Sequence, residues 1–238
     1  MTRRCILIVT TLSLLLWGAL PGAAQSPKRN ALSLNEAADF QAVGRINRGR
    51  LNTPTLCTGT LIAPQWVLTA AHCVQDMPRP ITILFVAGRH GDDFAAAKRA
   101  QAIFLDPRRA PQAGMTPDQI PFDTALLKLT DPITDISPIP LALPSAPLRP
   151  ATPLNVVAYS NEDRDVPTAQ FACLTAPIQL PLITTDCEVV AGNSGAPLLR
   201  RTHTGWEIVA VLVGRNAPGP RASVAVVPGQ PLLDIMAK

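Results

Sequence analysis

The chain has 238 residues, of which 47% are hydrophobic and 16% are charged. This composition excludes a disordered protein and fits a globular one, with one large core or two smaller cores. The formal net charge of +4 is too small to indicate a nucleic-acid or anionic-membrane partner.

Proline is unusually frequent, with 25 prolines against 14 glycines. Since proline is excluded from helix interiors, we expect few helices. The composition instead favours many short strands joined by stiff turns.

The first part of the chain, residues 1–24, has the pattern of a secretory signal peptide. Arg3 and Arg4 precede an apolar run that is too short for a transmembrane helix, and we expect cleavage after Ala24 or Ala23. The arginine pair also leaves a twin-arginine export route open. Removal of the signal lowers the charge from +4 to +2, because it contains two arginines and no acid. No later segment has the roughly 20 apolar residues of a membrane span, so we expect the mature protein to be soluble. Together with the signal pattern, this predicts an exported bacterial protein of the periplasm or medium.

The cysteines predict disulfides in the exported chain. One of the five, Cys5, lies in the signal, and the remaining even number allows three pairings. A metal site is the alternative, but only three histidines exist and only His72 stands next to a cysteine. We therefore expect no metal ion. The cysteines that remain are Cys57, Cys73, Cys173 and Cys187.

The first half of the chain predicts a set of short strands. Residues 25–42 form a polar lead, which is either a pro-segment or a flexible start. Residues 93–105 begin with alanines typical of helices and pass into an apolar run typical of strands, so both remain open. Residues 106–121 contain four prolines and predict a surface loop. Strands are predicted at 43–47, 56–61, 66–70, 80–87 and 125–129.

The second half repeats this pattern after a proline-rich strap. Residues 131–153 carry seven prolines and predict an extended connection between two domains. Two runs of about six short strands lie on either side of it, and they predict two packed β-barrels, over residues 43–130 and 154–238. The later strands are predicted at 154–159, 170–176, 196–200, 206–213 and 222–227.

A serine lies among small residues in the sequence Gly-Asn-Ser-Gly-Ala-Pro over 192–197. Nothing bulky would block attack of Ser194 on a substrate carbonyl, and the N–H groups of Gly192 and Ser194 can point to one place, as in an oxyanion hole. Such a serine needs a base, and the base needs an orienting acid. The chain offers His72 after two alanines, and Asp123 in an apolar segment where a carboxylate requires a hydrogen-bond partner.

Three sequence blocks occur in the order His, Asp, Ser, and together they resemble the trypsin-like (chymotrypsin-fold) serine proteases. The blocks are Cys57-Thr-Gly-Thr-Leu-Ile with Trp66-Val-Leu-Thr-Ala-Ala-His-Cys, then Phe122-Asp-Thr-Ala-Leu-Leu-Lys-Leu, then Gly192-Asn-Ser-Gly-Ala-Pro-Leu. The resemblance covers about residues 43–227. It implies an all-β fold of two packed six-stranded antiparallel barrels, with the catalytic groups at their junction. It also favours a strand at 93–105 and a short helix within 228–238.

The resemblance assigns a role to each of these residues. Ser194 is the nucleophile, His72 its acid and base, and Asp123 the carboxylate that orients the imidazole, while the N–H groups of Gly192 and Ser194 are the oxyanion donors. Each residue also has a structural alternative: a buried core histidine, an aspartate that caps a turn, and a small residue in a tight turn. The disulfides implied by the resemblance are Cys57–Cys73, around the histidine loop, and Cys173–Cys187, ahead of the nucleophile.

Asn193 departs from the family pattern. Trypsin-like zymogens have an aspartate there, which pairs with the new N-terminal amine after cleavage, and asparagine cannot form that ion pair. We therefore expect neutral hydrogen bonds to hold the active-site loop, and activity without a freshly exposed terminus. The same asparagine occurs in the bacterial glutamyl-endopeptidase branch, which the chain also resembles in its compact spacing. Ala196 in place of the usual second glycine is a smaller change, tolerated where φ is negative.

The sequence leaves side-chain specificity open. Counting back from the serine places Glu188 at the base of the trypsin pocket, where it would favour Lys or Arg. The pocket cysteine expected just after that position is missing, because Cys187 precedes Glu188, so a surface position of Glu188 is the alternative. The wall segment places Val213, Gly214 and Arg215 beside the pocket, where Arg215 either narrows the cleft or meets an acidic side chain. Basic, small or apolar, and acidic preferences all stay open.

These observations predict an exported serine endopeptidase that hydrolyses protein or peptide substrates through an acyl-enzyme on Ser194. No cofactor is implied, no membrane attachment is expected after signal removal, and we expect a monomer. A catalytically silent protease-fold binding protein is the alternative from another class, although all three triad residues are present. An esterase is the third hypothesis, but the Ser-Asp-His chain order of the common esterase fold is absent.

Overall fold

The computed structural model describes residues 28–53, 55–111, 114–142, 148–215 and 223–237. The predicted signal peptide lies outside the described residues. Over the described ranges, no helix is long and apolar enough to cross a membrane.

Strands make up most of the regular structure in the described residues. They are β1 Asn30–Ala31, β2 Val43–Arg48, β3 Thr55–Ala63, β4 Trp66–Thr69, β5 Ile83–Ala87, β6 Ala96–Leu105, β7 Ala125–Leu129, β8 Pro153–Ala158, β9 Thr168–Leu174, β10 Leu182–Thr185, β11 Pro197–Arg201, β12 Trp206–Arg215 and β13 Ser223–Val226. The helices are α1 Leu34–Ala37 and α2 Gln230–Leu233, with 3₁₀ turns at Ala38–Phe40, Ala71–Cys73, Pro80–Thr82, Ile120–Phe122 and Asp234–Ala237.

Six antiparallel strands close a first barrel in the order β2-β3-β4-β7-β6-β5. Apolar side chains such as Ile46, Leu61 and Phe85 point inward and are fully buried, as expected for the packed face of a sheet. β4 pairs with β7 so that Thr69 lies opposite Ala125. This register brings the residues that follow β4 beside those that precede β7.

The second half of the chain forms a sheet in the order β1-β9-β8-β11-β12-β13-β10. Its core contains Leu154, Ile183 and Leu198, all fully buried. β11 pairs with β12 so that Pro197 lies opposite Val211. The loop that precedes β11 therefore runs beside the end of β12.

The described part of the N-terminal lead packs against the second sheet. β1 adds to the edge of that sheet by pairing with β9. Leu32 is 4% exposed, and its N–H donates to the carbonyl of Pro167 at 2.9 Å. Phe40 contacts Trp206, with ring centroids 5.3 Å apart. The lead therefore contributes core residues as well as a strand.

The all-β, chymotrypsin-like fold class is confirmed, and a short helix lies near the C-terminus as expected. Residues 93–105 contain β6, the strand that the resemblance favoured. The second sheet differs in detail, since among the described residues it has seven strands and is not closed, with β1 at one edge. Residues 80–82 form a 3₁₀ turn because Pro80 starts it and cannot donate to a strand ladder. β10 was not predicted, because four residues after a proline give too short a pattern.

Candidate active site

His72 lies in the 3₁₀ turn that follows β4. Ala70 and Ala71 are fully buried, and Cys73 forms a disulfide with Cys57 on β3, so the backbone is fixed on both sides of the histidine. The His72 side chain keeps 24% of its surface exposed. The ring is therefore held by the barrel and remains accessible from solvent. The second expected disulfide, in the second sheet, is also formed.

Asp123 is fully buried and directs both carboxylate oxygens at His72. Its Oδ2 lies 2.6 Å from Nδ1 of the ring, and its Oδ1 accepts a hydrogen bond from the main-chain N–H of His72 at 2.8 Å. The Asp123 carbonyl accepts from the N–H of Ala71 at 3.2 Å, which joins the two turns. A carboxylate facing Nδ1 favours the tautomer with the proton on that nitrogen. Nε2 is then the ring atom able to accept a proton.

The loop between β10 and β11 brings Ser194 to the same junction. Its carbonyl accepts a hydrogen bond from the N–H of Thr58 at 2.8 Å. The next residue, Gly195, has φ of +84°, and a Cβ there would collide with the Thr58 carbonyl and lie 3.1 Å from the amide nitrogen of Ala70. Glycine is therefore required for the serine loop to approach the histidine turn this closely. Among the described residues, no hydrogen bond joins the Ser194 hydroxyl to the imidazole of His72.

Along the loop that carries Ser194, main-chain N–H groups that donate hydrogen bonds within the protein alternate with N–H groups that do not. Those of Asn193 and Gly195 donate to carbonyls at 3.1 and 2.7 Å, whereas those of Gly192 and Ser194 have no acceptor among the described residues. Gly192 has φ of +99°, a conformation that favours glycine. Two N–H groups are thus available beside the serine for a substrate oxygen.

Neutral hydrogen bonds of buried groups hold the loop that carries Ser194. Asn193 is 2% exposed, its side-chain amide donates to the carbonyl of Tyr159 at 2.9 Å, and its Oδ1 accepts from the N–H of Val190 at 2.9 Å. The Tyr159 N–H donates to the hydroxyl of Thr58, which donates to the carbonyl of Gly192, each at 3.0 Å. The loop is thereby connected to both sheets.

Two buried arginines that share the exposed carboxylate of Asp165 lie beside Tyr159. Oδ1 of Asp165 accepts from Nη1 of Arg45 at 2.9 Å and from Nε of Arg89 at 2.8 Å, so it joins the β8–β9 loop to the first barrel. Burial, and then the nearby Arg89, lower the pKa of Arg45. Burial raises the pKa of Tyr159. The Tyr159 hydroxyl therefore stays protonated, and it donates to the carbonyl of Arg89 at 2.8 Å.

An open cleft of about 450 Å³ adjoins the candidate nucleophile. Two charged residues, Glu162 and Arg215, line it. Glu162 forms an ion pair with Arg29, whereas Arg215 forms no ion pair within the described chain. The described residues that line it are Glu162, Val189, Val190, Ala191, Ser194, Gly214 and Arg215.

Two of the four residues predicted for the specificity pocket line this cleft, and the other two do not. Gly214 and Arg215 line the cleft, whereas Val213 is 3% exposed and does not. The Glu188 side chain is exposed and lies outside the lining. The Glu188 main chain exchanges two hydrogen bonds with the side chain of Gln170, at 2.8 and 2.7 Å. Val189 and Val190, which follow Glu188, occupy the wall instead.

Arg109 is a residue that the sequence did not single out. It comes from residues 106–121, which were predicted to form a surface loop, yet its side chain is fully buried. Its Nη1 lies 3.5 Å from Oδ1 of Asp123. Two adjacent arginines in a proline-rich loop have no spacing that indicates a site, so sequence reasoning had no signal for this contact.

Cys57, His72 and Cys73 form a close group of metal-binding side-chain types within the described residues. The two sulfurs are bonded to each other. They therefore cannot act as the thiolates that a metal ion would require.

The chain is similar in sequence to known peptidases. A family model described as "Trypsin-like peptidase domain" matches residues 57–211, more than half of the chain, and this range contains His72, Asp123 and Ser194. Coagulation factor XII of Bos taurus is 36% identical over 103 residues, which are 40% of this chain and 16% of the bovine protein. The chain therefore spans only a small part of that relative's length. Membership of the glutamyl-endopeptidase branch stays a prediction.

Proposed function

The chain belongs to the trypsin-like peptidase family, and we propose that it is a serine endopeptidase in which Ser194, His72 and Asp123 form the catalytic triad. The observation that carries the proposal is the 2.6 Å contact between Nδ1 of His72 and Oδ2 of Asp123. A serine loop bonded to the neighbouring strand, through the Thr58 N–H, supports it.

Proton transfer through the imidazole is the central step of this mechanism. With the Nδ1 proton held by the carboxylate, Nε2 accepts the proton of Ser194 as the hydroxyl attacks the substrate carbonyl. The imidazolium that forms lies against Asp123 and then gives its proton to the leaving amine. An acyl-enzyme remains on Ser194, and a water molecule activated by His72 hydrolyses it. The mechanism requires a hydrogen bond between the Ser194 hydroxyl and Nε2 of His72 to form when substrate binds, since this contact is often long or poorly aligned in substrate-free enzymes.

The N–H groups of Gly192 and Ser194 are the proposed oxyanion donors. They are available because neither has an acceptor among the described residues, whereas the intervening N–H group, that of Asn193, donates to the carbonyl of Val190. Loss of one such donor usually lowers turnover by about 10²–10³. Neutral hydrogen bonds of Asn193 keep the loop in this arrangement without a newly cut N-terminus.

The described cleft favours small, apolar or acidic substrate side chains over Lys and Arg. Its walls include two valines, and its carboxylate, Glu162, is already paired with Arg29. Arg215 carries a positive charge into the cleft and would repel a basic side chain. Glu188, the residue that would attract a basic side chain, is exposed and lies outside the lining of this cleft.

The two disulfides fit the proposed export of the protein. Structural disulfides are typical of oxidising compartments such as the periplasm or the outside of the cell. Protein or peptide substrates in such a compartment fit an enzyme of this family.

Labelling with a fluorophosphonate probe, followed by profiling on a mixed peptide library, tests the proposed function. We expect the wild-type protein and Ser137→Ala, which changes an exposed serine of the strap, to react with the probe and to cleave peptides. Ser194→Ala should do neither. A folded wild-type protein that resists the probe would support the binding-protein alternative. Hydrolysis of acyl esters without peptide cleavage would support an esterase.

A further inference from the structure

We propose that Arg109 is a positioning residue of the triad, whose buried guanidinium fixes the carboxylate of Asp123 and, through it, the imidazole of His72. The inference rests on the proposed function of these residues. It concerns a part of the molecule outside the three family sequence blocks.

The guanidinium of Arg109 connects the two turns that carry the pair. Its Nε donates to Oε1 of Gln75 at 2.9 Å, and Gln75 follows the histidine turn, with its N–H bonded to the carbonyl of Ala71 at 2.9 Å. Its Nη1 donates to the carbonyl of Gln119 at 3.3 Å, at the start of the 3₁₀ turn that leads to Asp123. One planar side chain thus spans both turns, as the fixed fork of arginine allows.

The loop that carries Arg109 is fixed so that the side chain points inward. The Arg109 N–H donates to the carbonyl of Asp106 at 2.9 Å, and the Asp106 N–H donates to the carbonyl of Thr124 at 3.0 Å. The carboxylate of Asp106 accepts two hydrogen bonds from the guanidinium of Arg108, at 2.9 and 2.7 Å. The exposed arginine therefore secures the loop, and the buried one faces the triad.

The position of the charge indicates orientation as the role. Oδ2 of Asp123 faces the imidazole, whereas Arg109 lies 3.5 Å from Oδ1, on the other oxygen. Both side chains have no exposed surface, so neither charge is screened by water. The positive charge of Arg109 also opposes the negative charge of Asp123, which stabilises the imidazolium. If only this charge mattered, removal of Arg109 would leave catalysis unchanged or make it faster. If Arg109 orients Asp123, its removal should slow catalysis.

The test compares variants of the full chain by their rate of fluorophosphonate labelling. The rate is separated into the maximal rate and the probe concentration that gives half of it. Arg109→Met should lower the maximal rate about 10²-fold and leave the half-saturating concentration within about twofold, because positioning of the reacting groups changes and access does not. A maximal rate equal to or above that of the wild type would overturn the proposal.

Arg108→Met is the matched control in the same loop. It removes the ion pair with Asp106 and the contact of the guanidinium with the ring of Phe122, 4.8 Å from its centroid, but no contact with Asp123 itself. We therefore expect a lower melting temperature and a maximal labelling rate within about twofold of the wild type. Equal losses of rate in the Arg108 and Arg109 variants would overturn the proposal, since they would show a general effect of loop stability.

A double variant tests whether Arg109 acts through Asp123. Asp123→Asn should slow labelling about 10⁴-fold, and adding Arg109→Met should change that rate by less than about threefold, since no carboxylate remains to be positioned. A further loss of about 10²-fold in that background would contradict the proposal.

If circular dichroism shows that Arg109→Met is unfolded, Arg109→Lys tests the proposal instead. A lysine ammonium has no planar fork to bridge Asp123 and Gln75, so labelling about tenfold slower is expected, and a wild-type rate would refute the role. The proposed function is judged separately by Ser194→Ala. Labelling that Ser194→Ala abolishes and Arg109→Met leaves intact would uphold the enzyme and refute this inference.

Discussion

The side-chain amide of Asn193 donates a hydrogen bond to the main-chain carbonyl of Tyr159, 2.9 Å away. An aspartate has no N–H group to make this bond, and a buried carboxylate would face the carbonyl oxygen instead. The loop that carries Ser194 is therefore held by the second sheet itself, through a contact that needs no partner charge.

Substitution of Asn193 should weaken both the fold and the proposed oxyanion donors. Asn193→Asp is expected to lower the free energy of unfolding by about 1–3 kcal/mol, the usual cost of leaving a buried polar group unsatisfied. It should also slow fluorophosphonate labelling at least about tenfold, because the N–H groups beside Ser194 lose their alignment. Urea denaturation and labelling rates measure the two effects. An Asn193→Asp variant as stable and as reactive as the wild type would contradict this account of the loop.

The same arrangement predicts activity without a newly cut N-terminus. A protein with an N-terminal tag ahead of Gln25 should be labelled within about twofold of the rate after tag removal, since no terminal amine is needed to order the loop. Mass spectrometry before and after the assay establishes that the tagged chain itself reacted. Labelling that appears only after proteolysis near the lead would show that a new terminus is required.

The ion pairs of Asp165 predict a second stability effect at the junction of the two sheets. Asp165→Asn leaves the buried Arg45 and Arg89 without their shared carboxylate, and we expect the free energy of unfolding to fall by about 1 kcal/mol, since the carboxylate itself is half exposed and solvent screens the pairs. Asp163→Asn is the matched control, since its side chain is similarly exposed, 42% against 54% for Asp165, but it lies 3.7 Å from one arginine, Arg29, that is less deeply buried than Arg45 and Arg89. It should cost less than about 0.5 kcal/mol. Equal effects of the two substitutions in urea denaturation would argue against a special role of the buried arginines.

Short sequence blocks predicted His72, Asp123 and Ser194 as site residues, and each of them lies beside a strand end: His72 follows β4, Asp123 precedes β7 and Ser194 precedes β11. Their catalytic roles stay a prediction. The alternation of apolar residues likewise predicted most strands of the first barrel. The strand β1 was not predictable in this way. It has two residues and owes its place to pairing with β9, far along the chain.

Contacts between distant segments account for the rest of what the sequence did not predict. The proline content of residues 106–121 correctly indicated a loop, but burial of Arg109 depends on Gln75 and Asp123, which no local pattern connects to it. The position of Glu188 depends on the side chain of Gln170, which binds its main chain from β9. The number of residues between Glu188 and Ser194 does not reveal that contact.

The disulfide Cys57–Cys73 is predicted to matter for catalysis as well as stability. Replacing both cysteines by alanine should lower the free energy of unfolding by about 2–5 kcal/mol, and should also slow labelling, because the turn carrying His72 loses its covalent fixation. Replacing Cys173 and Cys187 is the control. That disulfide closes a loop of similar sequence separation, 14 against 16, so it should cost similar stability with less effect on labelling. Equal slowing in both variants, at a temperature where both are folded, would refute a specific link to the histidine.

The cleft beside Ser194 predicts how two charged residues affect substrate choice. Glu188→Gln should leave the cleavage profile of a mixed peptide library unchanged, because the Glu188 side chain is exposed and lies outside the cleft lining. Arg215→Gln should raise cleavage next to Lys and Arg relative to acidic residues, because it removes a positive charge from the lining. Exposed charge pairs contribute about 0.2–1 kcal/mol, so a change of about 1.5- to 5-fold in this ratio is expected. Loss of cleavage next to Lys and Arg in Glu188→Gln would instead return Glu188 to the base of the pocket.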